Sequence, residues 1–439
     1  MTQTTKNFVY FAIMAGLLVA VGVIQSWSVS LSIFNLCLIS AVMALGVNMQ
    51  WGYAGLFNVG MMGFAAIGGV AAMLVSMPPV TAAWANGGGD LMMSGLMVVV
   101  TVLAIILILR KMPKGKKRNY TIAAAVIAGY FLIRHFYDPA VGAIESTEAA
   151  KYGYLGGLGM PILFSWIIGG LFAAGAAWLI GKISLGLRAD YLAIATLGIS
   201  EIVIAILKNE DWLTRGVKNV TGLPRPVPYE VDLQASEWFI NLSATFGADP
   251  IEASSIFVKL CYTVLFMVVL GVILYLSERA LNSPWGRMMR AIRDRRDAAS
   301  AMGKDVKARH LQIFVIGSAV VGIAGAMLTT LDGQFTPGTY NPLRYTFLIW
   351  VMVIVGGSGN NWGAVLGGFV IWFLWVEAEP IGLFVMEVVT SGMDDGSALK
   401  AHLIESAAHM RMIMMGSILL LVMRFSPKGL MPEVVRHHD

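Results

Sequence analysis

Apolar residues in this chain are gathered into runs of roughly 20, and that grouping constrains the fold more than any other feature. Coiled as α-helix, a run of that length crosses the about 30 Å hydrocarbon core of a bilayer. Candidate spans lie near 7–25, 30–50, 57–77, 91–110, 119–137, 157–181, 189–207, 253–278, 309–331, 344–356, 362–378 and 410–424. These twelve segments predict an all-α, polytopic helical membrane protein. Two of them, 344–356 and 410–424, are short for a full crossing and read as tilted, broken or extended into a loop. The charged fraction is 13% against 57% hydrophobic residues, whereas soluble domains carry about 25% charge. The first run, Phe8 to Ile24, is long for a signal-peptide core and no cleavage site follows, so it reads as a retained first helix. Cys37 and Cys261 both fall inside apolar spans and read as small buried hydrophobes; no Cys/His cluster at ligand spacing points to a metal.

The net charge of +5 is better read loop by loop than as a nucleic-acid signal, and no nucleic-acid partner is expected. Segment 110–118 carries Arg110, Lys111, Lys114, Lys116, Lys117 and Arg118 with no acid, and 287–309 carries a second basic run. The tail adds Arg424, Lys428 and Arg436. Under the positive-inside rule all three face the cytoplasm, which an even span count with both termini inside satisfies. The opposite loops agree: 78–90 has no Lys or Arg, and 138–156 and 379–409 each have one Lys against several acids. The chain reads as a single transmembrane domain over 1–439 with four annexes: an inserted pair of extra spans within 79–156, an outer loop at 208–252, a cytoplasmic segment at 279–308 and an expanded outer loop at 379–409.

Within that cytoplasmic segment, residues 283–303 read SPWGRMMRAIRDRRDAASAMG. Ser283 suits a helix cap and Pro284 its first turn. Met288, Ile292, Ala299 and Met302 share one face of the helix this predicts, with arginines over much of the rest. Such a helix satisfies the positive-inside rule or touches anionic lipid in the plainest reading. The small pair Ala298-Ala299 favours close approach of a protein partner instead, and Gly303 lets the chain leave the helix. No Gly-x-x-x-x-Gly-Lys-Ser/Thr loop is present: the Gly-Lys pairs at 115, 181 and 303 are followed by Lys, Ile and Asp. A phosphate-driven motor, if used, resides on another polypeptide.

Asp297-Ala298-Ala299 with Gly303 four residues on resembles the Glu-Ala-Ala-x-x-x-Gly loop of ABC importer permeases, whose short helix fits a groove on the ATPase subunit. Further blocks resemble the branched-chain amino-acid family of these permeases: 52–60 (GYAGLFNVG), 188–202 (RADYLAIATLGISEI), 219–224 (NVTGLP), 351–369 (VMVIVGGSGNNWGAVLGGF) and 424–430 (RFSPKGL). The Tyr-Leu-Ala-Ile block is similar to that of the M-type subunit. The chain departs from the pattern where Met61 stands in place of a common His and Asp297 in place of Glu, and in the extra spans. The resemblance implies a transport subunit and not an enzyme, located in the bacterial inner membrane among lipid. Its partners would be an H-type permease, two ATPase subunits and a periplasmic substrate-binding protein. It implies no cofactor on this chain, with ATP and Mg on the partner ATPase, and coupling through Arg287, Arg290, Ile292, Asp297, Ala298, Ala299 and Gly303. Branched-chain or other small amino acids are the implied cargo, with urea or short amides as the alternative.

Polar groups inside spans cost about 2.5–3.5 kcal/mol at mid-bilayer and so mark candidate pathway positions. Glu201, with Thr196 and Ser200 beside it, reads as pathway lining or as a structural hydrogen bond. Asn48, Tyr53 and Asn58 surround an expected helix break at 51–55, which suits substrate contact or plain helix packing. An ion-coupled secondary transporter with Glu201 as coupling carboxylate, and a scaffold without transport, are readings from other classes. No nucleophile–base pair or paired catalytic carboxylates appear, so no covalent chemistry is expected.

Overall fold

A computed structural model describes residues 3–394 and 397–433. Helices α1 (Gln3–Ile24) and α2 (Trp27–Ala54) are followed by an unwound stretch at 55–60 and α3 (Met61–Ser76). The one-turn α4 (Thr81–Ala83) continues through a π-turn into α5 (Gly89–Lys111), which pairs with α6 (Lys116–Ser146). Next come α7 (Leu163–Ser184), α8 (Ala189–Asn209) and a loop carrying α9 (Asp211–Thr214), strand β1 (Val220–Thr221), α10 (Glu230–Ala235) and α11 (Glu237–Thr245). The second half holds α12 (Pro250–Leu281), α13 (Pro284–Asp294), α14 (Arg296–Ala301), α15 (Val306–Asp332), β2 (Gln334–Phe335), α16 (Pro342–Gly356), α17 (Asn361–Thr390), α18 (Ala398–Glu405) and α19 (Met410–Phe425).

The chain is an all-α polytopic membrane protein. Each of the twelve apolar segments is helical, but nine of the described helices are long and apolar enough to cross a bilayer, or ten if the pair α18–α19, bent by 58°, is one span. The shortfall lies in α3 and α16, of 16 and 15 residues, and in the bent pair. The span read at 57–77 is shorter because residues 57–60 are unwound.

The stretch 379–409, read as loop from 379 onward, is helical to Thr390 and again over Ala398–Glu405. Glu377, Glu379 and Pro380 look like a helix stop in sequence. In the fold Glu377 is buried and accepts a 2.8 Å hydrogen bond from Gln25 Nε2, and Glu379 pairs with Arg411 at 2.8 Å. Tertiary partners therefore offset the cost of the two acids within the helix.

The bundle closes around α15, which packs against α2, α3 and α7. A Cβ at Gly46 would lie 2.7 Å from the Gly317 carbonyl, and one at Gly68 only 1.8 Å from that of Gly322. A Cβ at Gly325 would lie 2.0 Å from the Ala65 carbonyl. Lipid tails are as apolar as the helix faces, so contact is won by close backbone packing between small residues. The hairpin α5–α6 differs: it packs mainly on itself and leaves its outer faces exposed. Replacing Gly68 or Gly325 with Val should destabilise the fold by at least the roughly 1–3 kcal/mol typical of overpacking, read as a lower melting midpoint in detergent. Gly198→Ala, with open space around the added carbon, should leave it unchanged. Equal midpoints for all three variants would refute this account of the packing.

Candidate functional site

Two ends of the bundle can be told apart by their contacts. At one end, Gly55 lies against Arg293, and the 356–361 turn meets the tail segment 428–433. At the other, β1 pairs antiparallel with β2 (Val220 opposite Phe335), and Gly157 N–H bonds the Pro78 carbonyl. The basic 283–303 segment sits at the first end.

That segment is two helices, not the one expected. Arg295, at φ −148° and ψ 85°, separates α13 from α14. The break divides the expected common face. Ile292 is buried with Gly286 and Met289 against the bundle, while Met302 is 81% exposed. Ser283 does not cap through its side chain, which donates to the Ala280 carbonyl; Pro284 does open the helix. Gly303 adopts φ 75°, a left-handed conformation that suits glycine and turns the chain out of α14 toward α15. Asp297, Ala298 and Gly303 are exposed and Ala299 half-buried.

The arginines of α13 divide the same way. Arg287 is exposed. Arg290 donates to the Leu281 carbonyl at 3.1 Å and lies over the Tyr53 ring at 5.9 Å. Arg293, which sequence reasoning passed over, holds the unit to its neighbours: it bonds the Gly52 carbonyl at the end of α2 and Glu433 at 2.9 Å. Burial pushes its pKa down, but hydrogen bonds to Asp294 and Glu433 outweigh that and leave it raised. Glu433 reaches Arg293 because the tail crosses the 356–361 turn. Leu430 N–H bonds the Val355 carbonyl at 2.8 Å, and Met431 N–H bonds that of Gly356 at 2.9 Å. Gly357 (φ 117°) and Gly359 (φ 83°) make the turn tight enough for this. A cavity of about 130 Å³ lies beside the unit, bordered by Gly55, Phe57, Leu187, Ile292, Arg296 and His310.

The candidate pathway residues do not form one group. Asn48 Nδ2 donates to Asn361 Oδ1 at 3.0 Å and its Oδ1 accepts from Gly359 N–H at 2.8 Å; Asn361 in turn donates to Glu278 at 2.9 Å. This ties α2, α12 and α17 together just beneath α13. Helix α2 runs on through Tyr53 to Ala54, so the break falls at 55–60 and not at 51–55. Asn58 lies within it, donating to Gln50 Oε1 and accepting from Trp350 Nε1 at its carbonyl. Val59 N–H bonds Thr196 Oγ1 at 3.0 Å, so side chains of neighbouring helices satisfy the unwound backbone. Trp51, Phe57 and Trp350 stack edge-on around it with ring centroids 4.7–5.4 Å apart. Thr196 and Ser200 are buried against Gly60 and Gly63 of the neighbouring segment, in helix packing. Glu201 is exposed on a different face of α8 and does not join them.

Residues 29–423 match the family described as the branched-chain amino acid transport system permease component. The chain belongs to that family. It is 27% identical over 267 residues to the high-affinity branched-chain amino acid transport system permease protein LivM of Escherichia coli (strain K12), covering 60% of this chain and 56% of that one. A probable LivM of Methanocaldococcus jannaschii is 25% identical over 308 residues, 70% of this chain and 77% of the relative. A probable LivH of the same organism is 26% identical over 235 residues, 53% and 66% of the two chains. The match thus spans little more than half the length of the Escherichia coli relative. No solved structure matches this permease.

The Glu433 contact should be separable from the fold. Glu433→Gln should weaken the tail attachment by about 1 kcal/mol, a part-exposed ion pair, and raise amide exchange of 284–294 and 426–433 roughly five-fold. Unchanged exchange in both peptides would show that the ion pair does not hold them.

Proposed function

We propose that this chain is the M-type permease subunit of an ATP-driven importer that carries branched-chain or other small amino acids across the bacterial inner membrane. The observation that supports it most is the division of labour on the 283–303 segment. Gly286, Met289, Ile292 and Arg293 fasten α13 to the bundle, while Asp297, Ala298 and Gly303 stay free on the surface beyond the break. A force applied at α14 would be passed through α13 to the end of α2, the 55–60 stretch and the 356–361 turn. Small exposed residues on a short helix suit insertion into a groove of a soluble partner.

In this reading an H-type permease completes the pathway, two ATPase subunits bind ATP and Mg, and a periplasmic binding protein delivers cargo. Closure of the ATPase dimer moves α13–α14 and biases the permease between outward and inward access, which requires the two states to differ in affinity for partner and ligand. Family membership and the LivM and LivH relatives favour a paired permease and an amino-acid cargo.

Ala298→Arg, at an exposed position, should abolish co-purification of the ATPase subunits and amino-acid-dependent ATP hydrolysis, with the melting midpoint of the permease unchanged. A fully active complex carrying this substitution would sink the docking assignment. Glu201→Gln, by contrast, should leave uptake within about two-fold, since Glu201 lies on an exposed face of α8 apart from Thr196 and Ser200 and an ATP-driven importer requires no proton relay; loss of uptake with intact ATPase binding would favour ion coupling.

A further inference from the structure

The hairpin α5–α6 is joined to the rest of the chain at its base. A small separate core of Val80, Ala83, Ile144 and Leu155 fastens it there. Asn86 donates to Thr147 Oγ1 at 3.0 Å, and Tyr137 and Trp212 both donate to the Glu210 carboxylate. Beyond that base, between 92 and 136, the buried residues are Ser94 and Gly129. Ser94 bonds the Leu91 carbonyl of its own helix, and Gly129 lies against Thr101 of α5. Helix α5 has 23 residues, a rise of about 35 Å, so the turn at 112–115 emerges on the far side of a hydrocarbon core of about 30 Å.

The cations around that turn have no counter-ion in the protein. Arg110, Lys111, Lys114, Lys116 and Lys117 are exposed and Arg118 is half-buried, in a stretch that holds no acid. Among the described residues none of the six makes an ion pair. Helix α13 shows the contrast: its Arg290 and Arg293 reach backbone carbonyls and Glu433. The flanks of the turn fix its depth. Leu107 and Leu109 end the exposed apolar face of α5, and Tyr120, 72% exposed, stands near the start of α6. Apolar faces on one side and cations on the other place the turn at headgroup level, where a ring with a polar end also sits. There the Lys and Arg stems lie along apolar surface while their charges reach outward.

From these observations we infer that the segment 110–118 is a docking surface for anionic phospholipid. The phosphodiester headgroups gather on the six cations, and the acyl chains lie on the exposed faces of α5 and α6. The lipid supplies the contacts that the protein does not give to this end of the hairpin. Attraction between clustered Lys or Arg and an anionic leaflet grows with each cation and decays over a Debye length, about 8 Å at physiological salt. A soluble acidic protein would meet the same charge but leave the apolar faces beside the turn uncovered. The inference is independent of the importer reading.

The test places a fluorophore on Met112→Cys of the full chain in a Cys261→Ala background, Cys37 being buried. The labelled chain is reconstituted in phosphatidylcholine nanodiscs. A nitroxide on the acyl chain of either phosphatidylglycerol or phosphatidylcholine, at the same low mole fraction, quenches the fluorophore when that lipid stands beside it. Phosphatidylglycerol should be enriched about five-fold over phosphatidylcholine at the turn. Raising the salt to about 1 M, where the Debye length is about 3 Å, should remove the preference. Lys114→Gln combined with Lys116→Gln and Lys117→Gln should lower it below about two-fold, with the melting midpoint unchanged. Fewer cations also weaken the orienting signal of the hairpin, so the salt arm tests the claim on unaltered charges. Equal quenching by the two lipids, or a preference that persists in high salt or in the triple variant, would overturn the inference. So would loss of the preference when co-purified partner subunits bind, which would assign the turn to a protein.

Discussion

Backbone-to-backbone contact along α15 is the constraint on which the rest of this permease depends. In lipid there is little hydrophobic gain from bringing helices together, so they must fit closely. Gly317, Gly322 and Gly325 on α15 meet Gly46, Gly68 with Gly169, and Ala65 on the three surrounding helices. None of these contacts leaves room for a side chain. The same helix begins just after the α13–α14 unit and ends at Asp332. This tightly packed helix runs from the α13–α14 unit to the end of the bundle where β1 pairs with β2.

Polar contacts supply what small-residue packing lacks, which is specific position. The unwound stretch at 55–60 would be costly in a bilayer if its N–H groups were free. Thr196, Asn58 and Gln50 satisfy it from three directions, and the Trp51–Phe57–Trp350 cluster fills the space around it. The Asn48–Asn361–Glu278 chain does the same between α2, α12 and α17. Polar side chains in spans are expensive, and so these residues read as pathway lining or as structural and packing contacts. Most of them hold helix ends and breaks in register.

Much of the architecture was legible from the chain. All twelve apolar runs are helices, because their length and period report a bilayer directly. Helix in 283–303 was legible too, since Pro284 and Gly303 mark where it opens and where the chain leaves it. The single helix drawn there was wrong in one respect: no residue type at Arg295 signals a break, and the break arises because Arg293 and Ile292 are pulled to the bundle while α14 is not. The loop expected from 379 is helical for the opposite reason, as the acids Glu377 and Glu379 find partners in Gln25 and Arg411.

The sequence by itself determined the class of molecule, its helices and the family to which it belongs. These follow from hydropathy, spacing and local motifs, which are properties of neighbouring residues. Only the tertiary structure decided which charges are spent internally and which remain available. Arg293 and Glu433 are 140 positions apart and meet because the tail crosses a glycine turn; Glu377 accepts a hydrogen bond from Gln25, just past the end of α1. Glu201 and Glu377 look alike in sequence, each an acid at or near an apolar run, yet one is exposed on α8 and the other is buried and accepts a hydrogen bond from Gln25. Burial and partnership depend on contacts between distant segments, and no local pattern encodes them.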